Sequence, residues 1–250
     1  MEMGPYKPKV VLLGAAGRMG AAISGRFLTD GKVDLVGACD LVDVGKPAGS
    51  LSGVINASPL IVRTVSDLPN DIEADVVLDF SRPEGTRQNL LPVMERGWDL
   101  LIGATGHSEE DIQNFTRAAE KYSRRIVLVP NFTLGVNLMF KFAAMASKVF
   151  ENIEIIEMHH DKKVDAPSGT AIHTAKLIAE SGDRENVPIH SVRLPGLLAH
   201  QEVIFGSAGE VLTIRHDTTD RSAFLSGIYL AIENIKKLEP GFRKGLDWAF

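Results

Sequence analysis

Between Lys9 and Pro130, five short apolar runs recur: VVLLG at 10–14, VDLVGACD at 33–40, DVVLDF at 75–80, LLIGAT at 100–105 and IVLVP at 126–130. Runs this apolar are strands buried on both faces, and the amphipathic stretches between them leave room for crossover helices. This part of the chain is therefore constrained to a parallel α/β sheet. Two crossovers are legible in detail. Arg18 to Leu28 carries apolar residues at helical spacing and stops at Gly31, while Ser108 with Asp111 forms a capping box that opens a helix to about Tyr122. Leu41 to Pro59 holds several Gly, Pro and Ser residues without periodicity and reads as a long loop.

After Asn131 the rhythm changes. A helix is expected near Gly135 to Phe150, a strand at Asn152 to His160, a polar loop, a helix near Gly169 to Glu180, then strands near 190–194, 201–205 and 210–216. That order describes a second, α+β domain. A final helix near Arg221 to Leu238 and the tail GLDWAF have too little chain for a third core and return to the first domain. The expected organisation is a first domain of residues 1–130, completed by about 219–250, and a second of 131–218.

Composition narrows the partners. The formal net charge of −5, from 27 Lys and Arg against 32 Asp and Glu, offers no footprint for nucleic acid or an anionic membrane, which leaves small molecules. One cysteine, Cys39, excludes an intrachain disulfide and a cysteine-cluster metal site. No apolar run approaches the roughly 18 residues of a membrane span, and Met1 to Lys9 lacks a signal-peptide pattern, so a cytoplasmic location is expected.

Directly after the first strand stands Gly14-Ala15-Ala16-Gly17-Arg18-Met19-Gly20, opening the first helix. Its glycines permit a tight turn and close backbone approach, and the free N–H groups of a helix start suit a pyrophosphate. Asp40 ends the second strand, placed to bond the ribose hydroxyls of a dinucleotide. Packing alone would account for a glycine turn; together with the strand, the helix and the acid, dinucleotide binding is the better reading. Leu41 follows the acid where a basic residue would hold a 2′-phosphate, which favours NADH, whereas the Arg18 guanidinium keeps NADPH open. Three more turns, Phe80 to Pro83, Gly103 to Gly106 and Pro130 to Phe132, follow successive strands and should line the same crevice.

The densest chemistry is EMHHDKKVDAPSGTA at 157–171. On a strand, His159 and His160 point to opposite faces unless the strand ends there. Pro167-Ser168-Gly169-Thr170 reads as a helix start, with Ser168 as cap and the N–H groups near Gly169 and Thr170 as an anion pocket, to which Lys163 adds a cation. A dicarboxylate would use both. Adjacent histidines cannot easily chelate one ion and no HxxxH or HExxH spacing occurs, so no metal is expected.

These stretches, with GAAGRMG at 14–20, DFSRPEGT at 79–86, GATG at 103–106, PNFTLGVNLM at 130–139 and HQEVIFG at 200–206, resemble the 4-hydroxy-tetrahydrodipicolinate reductase (dihydrodipicolinate reductase) family along essentially the whole chain. The resemblance implies a Rossmann-like dinucleotide-binding domain and an α+β substrate and oligomerisation domain with an open mixed sheet. It implies an NAD(P)H-dependent oxidoreductase of the diaminopimelate route to lysine that reduces a cyclic dicarboxylic imine with loss of water. By that likeness His159 is the proton donor, Lys163 a second proton donor or electrostatic helper, and His160, Ser168, Gly169 and Thr170 hold substrate with Lys163. The cofactor falls on Gly14, Ala15, Ala16, Gly17, Arg18, Met19, Asp40, Gly103, Ala104, Thr105, Val129, Pro130, Asn131 and Phe132, with Phe80 near the nicotinamide. A homotetramer built through the second domain's sheet is also implied. Two other readings stand beside it: another two-domain nicotinamide dehydrogenase, and a dinucleotide-sensing regulator.

Overall fold

The computed structural model describes residues 6–54, 58–220 and 222–250. The chain forms two compact units, one of residues 1–130 and 228–250, the other of residues 131–227. The return to the first unit falls inside a helix and not in the polar loop near residue 219. A composition shift marks the loop, but the helix that follows runs through the boundary without interruption.

The first unit is a parallel sheet of seven strands: β1 (Lys9–Leu13), β2 (Asp34–Cys39), β3 (Ile61–Val62), β4 (Val76–Asp79), β5 (Asp99–Ile102), β6 (Arg125–Leu128) and β11 (Gly241–Lys244), in the order β11-β6-β5-β4-β1-β2-β3. Alternation explains why both faces are buried. Val11, Leu13, Val77, Leu100, Ile102 and Ile126 pack under helices α2 (Pro83–Glu95) and α3 (Glu109–Tyr122) with Val93, Met94 and Phe115. Their strand neighbours Val10, Leu12, Val76, Leu78 and Leu101 are buried on the other side, where α1 (Arg18–Asp30) contributes Ile23 and Phe27. The Ser108 box forms as expected: its hydroxyl accepts from the Asp111 amide, and Asp111 accepts from the Ser108 amide at 2.9 Å.

The second unit holds α4 (Leu134–Ala146), β7 (Asn152–His159), α5 (Gly169–Gly182), β8 (Ile189–Arg193), β9 (Ala199–Ser207) and β10 (Glu210–Thr218), and α6 (Ala223–Asn234) leads out of it. Its mixed sheet runs β10-β9-β7-β8, with β7 parallel to β8 and antiparallel to β9. Ile153 and Ile155 of β7 and Val203 and Phe205 of β9 share one face and bury against Val136, Met139, Ala143, Ala171 and Ile178 of α4 and α5. Glu154, Ile156, Met158, Glu202 and Ile204 form the opposite face, which is half-buried or exposed.

Three elements depart from the expectation. Within Leu41 to Pro59, Ala48–Ser52 is a 3-10 helix fastened to α1 by the Ser24 hydroxyl, which donates to the Ala48 carbonyl at 3.1 Å; residues 55–57 of that stretch lie outside the described ones. Strand β3 is only two residues long and β11, Gly-Phe-Arg-Lys, carries no apolar run, so both exist because a neighbouring strand pairs with them. Arg221, the expected start of the last helix, lies outside the described residues, and α6 is seen from Ala223. Phe115 is fully buried in the first core and Val149 is exposed. In urea unfolding, Phe115→Ala should cost about 3–5 kcal/mol and Val149→Ala no more than about 0.5 kcal/mol.

Candidate active site

The chain leaves β1 through β2 and β3 to one side and returns through β4 to the other, so the strand order reverses there. In open α/β sheets ligands bind at the carboxyl ends of strands at such a reversal. Gly14 stands there at φ 77°, and a Cβ on it would lie 2.6 Å from the Phe80 carbonyl oxygen. A Cβ on Gly20 would lie 2.0 Å from the Gly14 oxygen. The turn therefore demands glycine at both positions.

Within the turn the Gly14 and Ala15 amides donate to the Cys39 carbonyl at 2.9 and 3.2 Å, the Gly17 amide to Gly14 at 3.1 Å and the Ala16 amide to Asp40 Oδ2 at 2.9 Å. The N–H groups of Arg18, Met19 and Gly20 remain without a chain partner among the described residues and open α1, where the helix dipole favours an anion. Asp40 also accepts from Val42 at 3.0 Å, and each carboxylate oxygen keeps lone-pair capacity for a ribose hydroxyl. Leu41 and Arg18 are both exposed.

The next turns rest on Asp79, whose carbonyl accepts from Gly103 and Ala104 at 2.8 and 3.2 Å. The Val129 amide donates to Ile102 at 2.8 Å, and Pro130 ends the first unit. Asn131 and Phe132 open the second unit; the Asn131 side chain accepts from the Thr133 amide at 2.9 Å, and Phe132 is buried. Asp79 and His107, which sequence reasoning passed over, are buried polar groups of the first unit. Asp79 Oδ1 accepts from the Ser81 amide at 2.8 Å, whereas its Oδ2 and both His107 ring nitrogens have no hydrogen-bond partner among the described residues. Burial pushes the Asp79 carboxyl up and the His107 imidazole down, each toward its neutral form.

In the second unit, the parallel register pairs Glu157 with Ser191 and His159 with Arg193. These four residues share the helix-covered face of the sheet, at the carboxyl ends of β7 and β8. The Glu157 carboxylate is fully buried. Arg193 grips it as a fork, Nη1 to Oε2 at 2.8 Å and Nη2 to Oε1 at 2.7 Å; His159 Nδ1 lies 2.5 Å from Oε2, and the Ser168 amide donates to Oε1 at 3.2 Å. Burial alone would raise the Glu157 pKa, but the hydrogen bonds from Arg193, Ser191 and His159 outweigh it and bring it to about 2. For His159 burial prevails over the Glu157 attraction, Lys163 and Arg193 add to it, and the imidazole pKa is lowered.

Helix α5 begins immediately beside this carboxylate. The Ser168 hydroxyl accepts from the Ala171 amide at 3.2 Å and its carbonyl from Ile172 at 3.0 Å, so the Gly169 and Thr170 N–H groups are left free of chain partners among the described residues. A Cβ on Gly169 would meet nothing within 4 Å. The fold does not need glycine there; its absence of a side chain leaves the two amides open to an approaching group. Lys163 Nζ donates to both Asp165 oxygens at 2.7 and 2.8 Å, and Arg193 Nη2 donates to the Asp165 carbonyl at 2.7 Å. Strand β7 ends at His159, so half-buried His160 is released from strand alternation.

His159, Lys163, Ser168, Gly169 and Thr170 are thus joined through Glu157, Arg193 and Asp165. Ser168 acts in this network as a helix cap and as a donor to Glu157, with its hydroxyl and amide both engaged. Glu157 was findable, since a residue two before His159 on a strand faces the same way. Arg193 comes from another strand and carries no local signal. Among the described residues no group of three or more His, Cys, Asp or Glu side chains is arranged to hold a metal ion.

A parallel sheet with a glycine turn and Asp40 just past β2, followed by a unit that sets free helix amides near an imidazole, suits an oxidoreductase of the nicotinamide-nucleotide-dependent class. Residues 8–132 match the family model "Dihydrodipicolinate reductase, N-terminus" and residues 135–247 match "Dihydrodipicolinate reductase, C-terminus". The chain belongs to the dihydrodipicolinate reductase family.

The 4-hydroxy-tetrahydrodipicolinate reductase of Carboxydothermus hydrogenoformans is 39 % identical over 258 aligned positions, covering 96 % of this chain and 98 % of its own. That of Bacillus anthracis is 38 % identical, covering 92 % and 94 %. A dipicolinate-bound dihydrodipicolinate reductase from Paenisporosarcina sp. TG-14 superposes with a TM-score of 0.83 at 34 % identity, over 97 % of this chain and 99 % of that one. An amine dehydrogenase from Mycobacterium smegmatis, with a TM-score of 0.67 at 12 % identity, shares the fold alone.

The two residues that open α5 should separate in a thermal melt. Ser168→Ala removes the cap and should cost about 1 kcal/mol, whereas Gly169→Ala introduces a methyl into open space at a helical position and should cost nothing.

Proposed function

We propose that this protein reduces 4-hydroxy-tetrahydrodipicolinate, by way of dihydrodipicolinate, to tetrahydrodipicolinate with NADH or NADPH, in the diaminopimelate route of lysine biosynthesis. The observation that carries this reading is the open pair of Gly169 and Thr170 amides beside His159 and Lys163, in a chain that matches both halves of the family. The reaction takes up one hydride and one proton and releases water and the oxidised nicotinamide nucleotide.

A cyclic dicarboxylate suits the site's polarity. One carboxylate takes the Gly169 and Thr170 N–H groups at the positive end of α5, with His160 and Lys163 as further partners. Lys163 leaves Asp165 to meet the substrate. Cationic groups beside a conjugated imine make it more electrophilic as hydride arrives, and His159 supplies the proton. Dipicolinate, the ligand of the Paenisporosarcina enzyme, is a planar ring of this charge type.

The cofactor lies on the Gly14 to Met19 turn with its pyrophosphate at the free amides of α1 and a ribose on Asp40, while Phe80, Gly103 to Thr105, Val129 and Pro130 border the nicotinamide half. NADH is the preferred donor, because Asp40 would repel a 2′-phosphate and Leu41 offers it no cation; exposed Arg18 is the residue that would admit NADPH. The protein works as a cytoplasmic homotetramer, and the half-buried sheet face with Ile156, Met158 and Ile204 is the surface that copies would share. A dinucleotide sensor or a dehydrogenase for a neutral substrate is not favoured, since neither needs the anion pocket.

The test follows nicotinamide absorbance with substrate generated in the same cuvette, separately with NADH and NADPH. Rapid oxidation, faster with NADH, is expected; no oxidation by folded, cofactor-binding protein would refute the reading. Lys163→Ala should lower turnover about 10²–10⁴-fold without weakening cofactor binding, and Gly169→Ala should weaken dipicolinate binding in calorimetry while the fold is kept.

A further inference from the structure

We infer that Glu157 is the positioning residue of this site: its buried carboxylate holds His159 in the tautomer protonated at Nδ1 and turns Nε2 toward the substrate, with Arg193 holding the carboxylate in turn. The inference rests on the proposed reading of His159 as proton donor. It assigns roles to two residues on neighbouring strands that touch neither substrate nor cofactor.

The donors and acceptors around Glu157 fix the tautomer. An ionised carboxylate only accepts hydrogen bonds, and this one is ringed by donors: two guanidinium nitrogens of Arg193, the Ser191 side chain, the Ser168 amide and His159 Nδ1. At 2.5 Å from Oε2, Nδ1 must carry its proton. A neutral imidazole has one N–H, so Nε2 then holds the lone pair and is the atom that takes and gives the mobile proton. In the reaction, hydride brings an electron pair from the nicotinamide to the substrate ring. The proton leaves Nε2 without electrons, and the imidazole returns to its neutral Nδ1–H form.

The same groups set when His159 is charged. Facing it are Glu157 on its own strand, Arg193 from β8, Lys163 from the following loop with its partner Asp165, and the amide end of α5. Arg193, Lys163 and the helix end disfavour the imidazolium. Glu157 is the charge in direct contact that favours it. Glu157→Gln keeps the side chain's size and an acceptor for Nδ1–H but removes that charge, so the His159 pKa must fall. Because the protonated imidazole is the active form, kcat/KM declines as pH rises through this pKa. Glu157→Gln should move that decline to lower pH by about one unit or more, as loss of a neighbouring opposite charge does.

The experiment is the pH profile of kcat/KM for the unaltered protein and Glu157→Gln. A role confined to folding would lower activity at every pH and leave the position of the limb unchanged; that result would overturn the inference. A second measurement uses unaltered protein and needs no turnover: ¹⁵N NMR of the histidine ring, with His159 assigned through His159→Gln. The Nδ1–H tautomer is expected above the imidazole pKa, and an Nε2–H tautomer overturns the inference even if Glu157→Gln fails to fold. If the unaltered protein does not oxidise the nicotinamide, the proposed function falls, and the ring spectrum still decides the role of Glu157.

Discussion

One buried carboxylate organises the second unit. Glu157 lies in the sheet with no exposure, and an ion so placed is tolerable only when its oxygens are satisfied by hydrogen-bond donors, ideally charged ones. Arg193 provides the countercharge, and His159, Ser168 and Ser191 are further donors. That requirement joins four pieces of chain: the end of β7, the end of β8, the loop through Asp165, and the first residue before α5. The strand register brings Arg193 opposite His159. The site's shape is thus a consequence of neutralising one charge, and the proton that the same charge holds on Nδ1 leaves Nε2 as the atom that carries the mobile proton.

The two units share one physical device. Each presents a helix start with unpaired amides, where the helix dipole favours negative charge. Their caps differ. Gly17 before α1 has no side chain to bond the helix amides, so three N–H groups stay free, enough for a pyrophosphate. Ser168 before α5 accepts from Ala171 and leaves two, which matches the bite of a carboxylate. The glycines differ as well: Gly14 and Gly20 are required by backbone contact, whereas Gly169 faces open space.

The parts of this arrangement legible in the sequence are those with a local signature. The doubly buried strands show as apolar runs, the Ser108 and Ser168 caps show by spacing, and the glycine turn and Asp40 show by position after a strand. Strands β3 and β11 do not, because pairing with a neighbour and not composition creates them. The 3-10 helix at Ala48–Ser52 is hidden for a similar reason, its anchor to Ser24 being tertiary. At the site, the histidine and lysine announce themselves by chemistry, yet Arg193 is recruited from another strand, and the buried Asp79 and His107 flank turns that drew attention first. What sequence reading missed is what strand pairing brings together.

On the proposed function, the end of β7 and the start of α5 form the binding site for a cyclic dicarboxylate. The most direct measurement is a crystal structure of this protein with dipicolinate bound. One carboxylate is expected within hydrogen-bond distance of the Gly169 and Thr170 amides, with the ring turned toward His159 Nε2. Dipicolinate bound elsewhere, with those amides left to water, would contradict it.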